Sequence, residues 1–453
     1  MNLKKSKFKR IAVIGGGISG LATLHYLCRK YCKRDDIEIK LFEKEKFPGG
    51  TIHSQQVDKH LFEHGPNGFL TINPLTLEFF HEIQIADQLI VASAQAKKRF
   101  ISYQNQLYPV PMNPVALFKF PLFSAREKIR IFQEFFQKAG TDPKESVFDF
   151  FQRRFGPRVA QLFLDPMVSG IYAGDAKKIS VRAAFPKIYA LEQTYGSVIK
   201  GLFKQKRDKK IKRKLVSLKD GMGSVIEKLY TMYRVYIHTK IDVASILQKE
   251  EKYCFKYDGQ MYDADEIFLC APAYGSSYLL KELNKDLAEL LNQFEYAPIA
   301  VVGLVYAKSA FKNFPQGFGY LIPSSERRQA LGVLFESLIF ANRCAEDEIL
   351  VRVMIGGSRH PEVEDLSEDE ISALALQEIN QVLKAEDSPK QVYIKKWRRG
   401  IPQYTQTYLA LRDQLEQLAA QFPRLHFCAN YLKGISFNDC IENAYHSANK
   451  SLL

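Results

Sequence analysis

The stretch Arg10-Ile-Ala-Val-Ile-Gly-Gly-Gly-Ile-Ser-Gly20 lies almost at the start of the chain and predicts a dinucleotide-binding unit. Ile11 to Ile14 form a short apolar run typical of a buried parallel strand, and Leu21 to Leu27 continue as a helix. The loop between them fills the three positions of a G-x-G-x-x-G pattern with Gly15, Gly17 and Gly20. On its own, such a loop would indicate only a tight turn.

Each glycine in this loop has a separate physical role. Gly15 permits the tight turn, Gly17 leaves room for backbone NH groups to approach a pyrophosphate, and Gly20 lets helix and strand pack closely. The helix N-terminus adds partial positive charge, so the first-turn residues Ile18 and Ser19 belong to the predicted cofactor site.

An acidic residue follows at the position that a bound ribose requires. Glu43 ends a second apolar run, Ile37 to Phe42, where its carboxylate can accept hydrogen bonds from both ribose hydroxyls. Strand, loop, helix, second strand and acid occur in the expected order, and Lys44 directly follows the acid. The order, more than the loop alone, predicts a dinucleotide cofactor.

Two further segments distinguish FAD from NAD. Glu43-Lys-Glu-Lys-Phe-Pro-Gly-Gly50 and then Phe62-Glu-His-Gly-Pro66 resemble the flavin-contacting signature of the amine-oxidase-like FAD oxidoreductases. The resemblance implies non-covalent FAD and a second group of cofactor-binding residues, namely Gly49, Gly50, Thr51, Gly65, Pro66 and Asn67. The family usually has Arg or Lys after the glycine pair, whereas this chain has Thr51.

Composition limits the class of protein. The 453 residues are 46% hydrophobic and 25% charged, which is ordinary for a globular protein with two or three structural units. Seven scattered cysteines without a Cys-x-x-Cys pair predict reduced thiols in the cytoplasm and no metal site. The residues Met1 to Arg10 are too short for a signal sequence, and the longest apolar run, Tyr296 to Ala307, is too short to span a bilayer.

The net charge of +14 calls for a partner or a neutral explanation. No recognisable nucleic-acid-binding module accompanies it, so we expect no nucleic acid partner. The densest cluster comprises Lys204, Lys206, Arg207, Lys209, Lys210, Lys212, Arg213 and Lys214. A solvated loop is the favoured interpretation, and contact with anionic lipid or an acidic partner is the alternative.

The order of elements predicts an α/β protein, α+β overall. A doubly wound, Rossmann-like FAD domain is assembled from distant segments, with a mostly antiparallel second domain and an inserted helical subdomain. The predicted FAD segments are 1–97, 211–275 and 399–453; the substrate hairpin is 98–112, the helical subdomain 113–210 and the substrate sheet 276–398.

The helical subdomain is rich in phenylalanine. Ser124-Ala-Arg-Glu127 is a capping box that opens a helix with an apolar stripe of Ile129, Phe132 and Phe136. This stripe is either the core of a small helical unit or an apolar surface resting on a membrane. We therefore expect a cytoplasmic protein and leave a peripheral position on the membrane open.

Four further segments resemble the oxygen-dependent protoporphyrinogen oxidases and the related coproporphyrinogen III oxidases: Asp165 to Asp175, Leu191 to Gln193, Gly400 to Tyr404 and Asn438 to Glu442. The match follows the expected order over nearly the whole chain. It implies a six-electron oxidation of a porphyrinogen in haem biosynthesis, with FAD accepting hydride and molecular oxygen forming hydrogen peroxide.

A tetrapyrrole needs apolar walls and cations at the rim for its propionates. The resemblance places Arg99 near a propionate, although Lys98 could take that role or the basic stretch could be a simple turn. Phe340 resembles the aromatic residue that packs on a pyrrole ring, while Tyr320 and Leu304 could be pocket walls or core. Gly174 lies in the segment whose backbone approaches the reacting ring, and we single out no general base.

The C-terminal segment completes the predicted cofactor site. Ala429, Asn430, Ile435 and Ser436 are expected to approach the flavin. The family has glycines where this chain has Ala429 and Ala444, so we expect an altered loop geometry, because alanine does not easily adopt a positive φ.

Several functions stay open at this point. Protoporphyrinogen IX is the first substrate candidate and coproporphyrinogen III the second. Another amine-oxidase-like flavoprotein, such as an amine oxidase or a carotenoid desaturase, is a further alternative. A non-catalytic tetrapyrrole carrier is encouraged only by Thr51, Ala429 and Ala444. A homodimer is left open.

Overall fold

The computed structural model describes residues 8–204, 213–257 and 259–453. Its central element is a five-stranded parallel sheet with both faces covered by helices and loops. In spatial order its strands are Ile237–His238, Ile37–Phe42, Lys9–Ile14, Glu266–Leu269 and Leu425–Phe427. The predicted doubly wound α/β fold is confirmed.

Complete burial of the central strand explains its position. Ile11, Ala12 and Val13 are inaccessible to solvent, so this strand pairs on both sides and presents apolar side chains to both faces. Helices Ile18–Lys30 and Phe437–Asn449 pack together on one face. The opposite face is covered by Ala273–Leu280, Lys285–Asn292 and Tyr408–Ala419 and by the antiparallel strands Leu247–Lys249, Lys252–Tyr257 and Gln260–Ala264.

A second sheet has seven strands and is antiparallel except at one pairing. In spatial order they are Gln391–Pro402, Tyr296–Ala307, Glu348–Gly356, Ala330–Leu334, Gly319–Leu321, Phe100–Tyr103 and Gln106–Pro109. The predicted hairpin and the mostly antiparallel sheet are confirmed. The strand Gln391–Pro402 was not predicted, and it runs through the proposed boundary at residue 398.

The two faces of this sheet have different neighbours. We call the outer face the one covered by helix Glu368–Val382, which packs on Leu304, Val333 and Tyr320. We call the inner face the one that meets the dinucleotide-binding part of the chain, where Phe62 packs against Gly303. Because successive side chains of a strand alternate, each residue is committed to one face.

The helical subdomain is built from short helices: Pro114–Phe118, Ala125–Phe132, Val147–Phe155, Pro157–Val159, a π-helical turn Ala160–Leu164, Asp165–Tyr172, Val181–Ala184, Pro186–Tyr195 and Val198–Lys204. The predicted capping box at Ser124 is present. Ile131 points into the core of the unit, whereas Ile129, Phe132 and Phe136 are exposed. The predicted stripe is therefore a surface feature.

Smaller elements connect these layers. The pair Ser54–Val57 and His60–Glu63 and the three-stranded sheet of Phe69–Leu70, Leu215–Leu218 and Leu89–Val91 lie beside helices Pro74–Glu82 and Gly223–Met232. Five members of the basic cluster, Lys206, Arg207, Lys209, Lys210 and Lys212, fall outside the described residues. Within the described ranges, no helix is both long and apolar enough to cross a bilayer.

Candidate functional site

The glycine-rich loop joins the central strand to the first helix through a turn that only small residues permit. Gly15 has φ of +106°, a conformation that L side chains rarely adopt. A Cβ on Gly20 would overlap the carbonyl oxygen of Gly15, so a larger residue would push the helix away from the strand. The loop therefore brings the helix N-terminus to the carboxyl edge of the parallel sheet.

The N-terminus of this helix is suited to an anion. Gly17 is the N-cap residue and offers no side-chain hydrogen bond, and the first turn contains no acidic residue. A Cβ at Gly17 would meet nothing within 4 Å, so the backbone borders open space there. Ile18 and Ser19 begin the helix, and unpaired NH groups at a helix N-terminus favour phosphate oxygens. These features fit a pyrophosphate.

Glu43 lies at the end of the neighbouring strand and is 8% exposed. Its Oε2 accepts a hydrogen bond from the Gly16 NH at 2.5 Å, and its Oε1 accepts one from the Glu45 NH at 2.8 Å. A carboxylate has about four acceptor positions, so both oxygens can still accept from ribose hydroxyls. Lys44 is exposed and its Nζ lies 3.8 Å from Glu45, so it faces solvent.

A second loop lies directly on the first. The Gly49 NH donates to the Gly16 carbonyl at 2.8 Å, and Gly49 and Gly17 form an isolated β-bridge. A Cβ on Gly50 would come 3.4 Å from the Cα of Gly17, so the two backbones are close enough to hold one ligand between them. Thr51 is exposed beside this contact.

The segment Gly65 to Asn67 approaches the same place from the other side. A Cβ on Gly65 would overlap the carbonyl oxygen of Thr51, so the two loops touch. Pro66 is partly exposed, and the Asn67 amide lies 3.4 Å from both carboxylate oxygens of Glu336. The structure thus brings together three predicted groups of cofactor residues that are separated by up to 52 positions.

The C-terminal segment is held at the edge of the parallel sheet by two tyrosines. The hydroxyl of Tyr404 donates to the Asn430 carbonyl at 2.6 Å, and that of Tyr408 donates to the Leu432 carbonyl at 2.5 Å. Ala429 is buried and Ile435 partly buried. Neither Ala429 nor Ala444 has a positive φ; Gly434 supplies that conformation, with φ of +81°.

Ser436 uses its side chain for the helix that follows. Its Oγ caps helix Phe437–Asn449 and exchanges hydrogen bonds with Asp439 in a complete capping box. The Ser436 hydroxyl is therefore hydrogen-bonded within the protein, so Ser436 would contact the cofactor through its backbone.

Sequence reasoning missed two segments that border Glu43 and Gly15. The backbone carbonyl of His238 accepts a hydrogen bond from the Glu43 NH at 2.9 Å, and the Ile241 NH donates to the Glu43 carbonyl at 2.9 Å. On the other side, a Cβ on Gly15 would lie 2.9 Å from the carbonyl carbon of Cys270. The strand Ile237–His238 has only two residues, which is too short for a periodic pattern to reveal it.

The predicted substrate residues separate onto the two faces of the seven-stranded sheet. Tyr320 and Leu304 are buried on the outer face under helix Glu368–Val382. The Tyr320 hydroxyl donates to Glu378 at 3.0 Å, and burial raises the pKa of Tyr320 well above its ordinary value. Their positions agree with the core alternative.

Phe340 and Arg99 both lie near Phe318. Phe340 is buried in a small cluster with Leu334, against which the partly buried Phe318 packs, and a Cβ on Gly68 would lie 3.1 Å from the Phe340 ring. The Arg343 guanidinium lies 5.3 Å from the centre of the Phe340 ring. The Arg99 guanidinium is exposed and sits 5.0 Å from the centre of the Phe318 ring. An aromatic wall with an exposed cation at its rim is therefore present beside the Gly65 to Asn67 segment.

Gly174 lies where the helical subdomain meets the sheet. A Cβ there would lie 2.8 Å from the Gln403 Oε1, and the Gln403 amide donates to the Tyr172 carbonyl at 2.7 Å. Asp165, at the start of the preceding helix Asp165–Tyr172, forms an ion pair with Arg359 at 2.9 Å. Residues from distant segments thus pack around this backbone.

One histidine lies beside the flavin-signature segment. Burial lowers the pKa of His64 to about 4, and the nearby His53 and Lys395 lower it as well. Its backbone carbonyl accepts a hydrogen bond from the Trp397 indole at 2.9 Å. At neutral pH this imidazole is uncharged and positioned within the fold.

Comparison with known proteins adds four findings. Residues 18–451 match the flavin containing amine oxidoreductases. Chloroplastic protoporphyrinogen oxidase from Oryza sativa subsp. japonica is 30% identical, over 97% of this chain and 87% of that protein. Coproporphyrinogen III oxidase from Bacillus subtilis (strain 168) is 26% identical, over 98% of each chain. A crystal structure of a protein from Exiguobacterium sp. 255-15 shares the fold, with a TM-score of 0.84 and 22% identity over 97% of this chain and 98% of the other.

Proposed function

The chain belongs to the flavin-containing amine oxidoreductase family and uses FAD, and from that premise we propose that it oxidises a porphyrinogen to a porphyrin. Relatives named protoporphyrinogen oxidase align with nearly the whole chain, which supports protoporphyrinogen IX as the substrate. The observation that carries the proposal is the exposed Arg99 guanidinium, which lies 5.0 Å from the centre of the Phe318 ring, beside the buried cluster that contains Phe340.

The chemistry constrains what the protein must supply. Conversion of a porphyrinogen to a porphyrin removes six electrons and six protons, which three molecules of oxygen accept to give three of hydrogen peroxide. Bound FAD supplies the hydride acceptor. Since the ring gains aromaticity as it loses hydrogen, the residues contribute chiefly by binding and orienting the tetrapyrrole and by excluding water.

Each candidate residue has a role that its environment supports. Phe340 is 1% exposed and lies behind Gly68, so it would support the wall of the substrate site from within the core. Arg99, free of any carboxylate partner among the described residues, pairs with a propionate at the rim. Lys98 is also exposed and is the alternative cation. Gly174 is buried beside Gln403, and its role near the reacting ring rests on the resemblance alone.

Coproporphyrinogen III is the second candidate. The Bacillus subtilis relative named for that substrate covers the chain as completely as the plant enzymes do. Its additional propionates would benefit from more than one cation, and Lys97, Lys98 and Arg99 are consecutive and exposed. The two substrates therefore differ in how many members of this basic stretch they engage.

A parallel turnover experiment tests the proposal. Purified FAD-loaded protein is given protoporphyrinogen IX and coproporphyrinogen III in separate aerobic assays, while porphyrin fluorescence and peroxide are recorded. We expect faster porphyrin formation from one of them, with three peroxides for each porphyrin. Loss of porphyrin formation when oxygen is removed would identify oxygen as the electron acceptor. No enzyme-dependent rate with either substrate would contradict the proposal and favour an amine, a carotenoid or a carrier role.

We also propose that the helical subdomain rests on a membrane surface. Phe118, Phe132, Phe136 and Phe203 are exposed, and helix Val198–Lys204 lies against the turn Gln133–Phe136, which makes this apolar surface continuous. Lys128 lies 5.7 Å above the Phe118 ring, so a cation accompanies it. Exposed aromatic residues with interleaved cations are typical of interfacial contacts.

Sedimentation with vesicles tests this contact. We expect wild-type protein to sediment with vesicles of mixed zwitterionic and anionic lipid, and the Phe136→Ser, Phe203→Ser double variant to stay in the supernatant. Val235→Ser, an exposed apolar residue outside the subdomain, is the matched control. A patch that instead joins two copies of the chain would appear as a dimer without vesicles and would contradict the membrane contact.

A further inference from the structure

Arg352 extends from the seven-stranded sheet into the dinucleotide-binding part of the chain. The residue is 5% exposed and lies on the inner face. Its Nη1 donates to the carbonyl oxygens of Glu63 at 3.2 Å and Gly65 at 2.9 Å. The guanidinium therefore holds two carbonyls by hydrogen bonds from Nη1, and its charge can at the same time pair with a carboxylate, although its Nε makes no hydrogen bond.

Glu336 provides that carboxylate. Its Oε1 lies 2.9 Å from the Arg352 Nε, and both of its oxygens lie 3.4 Å from the Asn67 amide. The residue is 3% exposed and begins the short helix Glu336–Ile339, after which the Phe340 NH donates to the Glu336 carbonyl at 3.1 Å. One ion pair therefore touches both ends of the Gly65 to Asn67 segment and the base of Phe340.

Little in this region can adjust if the pair is lost. Gly65 already touches the Thr51 carbonyl, and Gly68 is confined between the Val216 carbonyl and the Phe340 ring. Removal of Arg352 would leave the buried Glu336 without its close ion pair, with Arg343 as the remaining nearby cation, and the segment would have to move to solvate the carboxylate. Movement would displace the residues that face FAD.

We propose that Arg352 and Glu336 are a positioning pair, which fixes the Gly65 to Asn67 segment in the geometry that binds FAD and aligns Phe340 with it. The part of this proposal that concerns FAD binding requires only that the protein binds FAD. The link to Phe340 as a substrate wall rests on the proposed function.

The outer face provides a matched control. Arg328 and Glu378 form a similarly enclosed pair, with Nη1 and Oε1 2.9 Å apart, on the far side of the same sheet. A purely structural role would make the two pairs equivalent. A positioning role makes FAD binding sensitive to Arg352 and insensitive to Arg328.

The experiment compares Arg352→Met, Arg352→Lys and Arg328→Met as full-length proteins. The FAD dissociation constant is measured by fluorescence titration of the apoprotein, and the visible circular dichroism of bound flavin reports its surroundings. We expect Arg352→Met to raise the dissociation constant at least tenfold and change the flavin spectrum. Arg352→Lys keeps the charge but lacks the rigid planar fork that reaches the carbonyls and the carboxylate together, so we expect an intermediate increase. Arg328→Met should stay within threefold of wild type.

Two results would overturn the inference: FAD binding by Arg352→Met that equals wild type, or an equal weakening by Arg328→Met. If Arg352→Met does not fold, Arg352→Lys is judged by the same criteria. Neither measurement uses a porphyrinogen, so failure of the proposed reaction would leave this test intact. Where turnover is observed, we also expect Arg352→Lys to raise KM, as Phe340 loses its alignment.

Discussion

The two faces of the seven-stranded sheet have similar side chains but contact different parts of the molecule. Both contain aliphatic side chains and a largely buried arginine paired with a glutamate. The outer pair, Arg328 and Glu378, lies under helix Glu368–Val382, where the sheet needs only to be covered. The inner pair, Arg352 and Glu336, holds backbone of the proposed cofactor site, at Gly65 and Asn67. Burial and pairing alone therefore do not reveal function; what the pair holds in place does.

The strongest way to break the inner face is to fill the contact between its two loops. Gly65→Val places side-chain atoms where the Thr51 carbonyl lies, so the loops must separate. We expect FAD affinity to fall by more than about 100-fold, roughly 2.7 kcal/mol. Gly275→Ala is the matched control, because its Cβ would meet nothing closer than 3.5 Å. Unchanged FAD affinity in Gly65→Val would show that this contact does not shape the site.

The outer face should respond in stability and not in cofactor binding. Leu304 is inaccessible to solvent and packs in the cluster under the covering helix. Leu304→Ala should lower the free energy of unfolding by about 3 kcal/mol through lost burial and a cavity. Denaturant unfolding measures the loss, and FAD titration of the folded variant should match wild type. A variant that folds but loses FAD would return Leu304 to the predicted pocket wall.

Arg99 tests the substrate side of the same comparison. Arg99→Ala should raise KM for the preferred porphyrinogen about tenfold and change kcat less, because a rim cation mainly contributes uniform binding. Tyr320→Phe removes the hydroxyl that donates to Glu378 on the outer face and should leave KM unchanged. Steady-state kinetics of both variants decide the matter. Equal kinetics for Arg99→Ala and wild type would remove Arg99 from the site.

The smallest expected effect concerns pH. The pKa of His64 is lowered to about 4, so the unfolded chain binds a proton before the folded one as pH falls. Folding stability from this residue is complete above pH 6.5 and is lost between about pH 6.5 and 4. His64→Gln should therefore lose less stability than wild type between pH 7 and 5, by roughly 1 kcal/mol or less because His64 is partly exposed. Urea unfolding at both pH values measures it; parallel losses would contradict the assignment.

Local patterns predicted the parallel sheet and most of its cofactor loops. The strand Ile37–Phe42 has the predicted bounds, Gly15 makes the tight turn, and Gly20 lets helix and strand pack closely. Glu43 ends that strand and accepts from the Gly16 NH, while its contact with a ribose stays a prediction. The turn and the packing could be predicted because loop and helix interact over a short stretch of chain. The capping box at Ser124 is predicted for the same reason.

Other features could not be predicted because they depend on distant residues. The strand Gln391–Pro402 alternates polar and apolar side chains only weakly. The strand Ala330–Leu334 ends at Leu334 because a short helix begins at Glu336. Tyr320 and Leu304 lie in apolar strands whose sequence does not specify which face a helix covers. The family resemblance proposed them as walls, and the alternation of the strand places them in the core.

The sequence by itself determined that a glycine-rich turn would join strand to helix and place an acid at the ribose position. It also determined that a second, antiparallel domain would follow. Only the tertiary structure decided which face of that domain meets the cofactor loops. It also decided that Arg352 would bind the Gly65 carbonyl, 287 positions away in the sequence. Likewise, only the tertiary structure showed that the apolar stripe of Ile129, Phe132 and Phe136 is exposed. The reason is physical: turns and caps are satisfied by neighbours in sequence, whereas burial and ion pairing are satisfied by whatever the fold brings near.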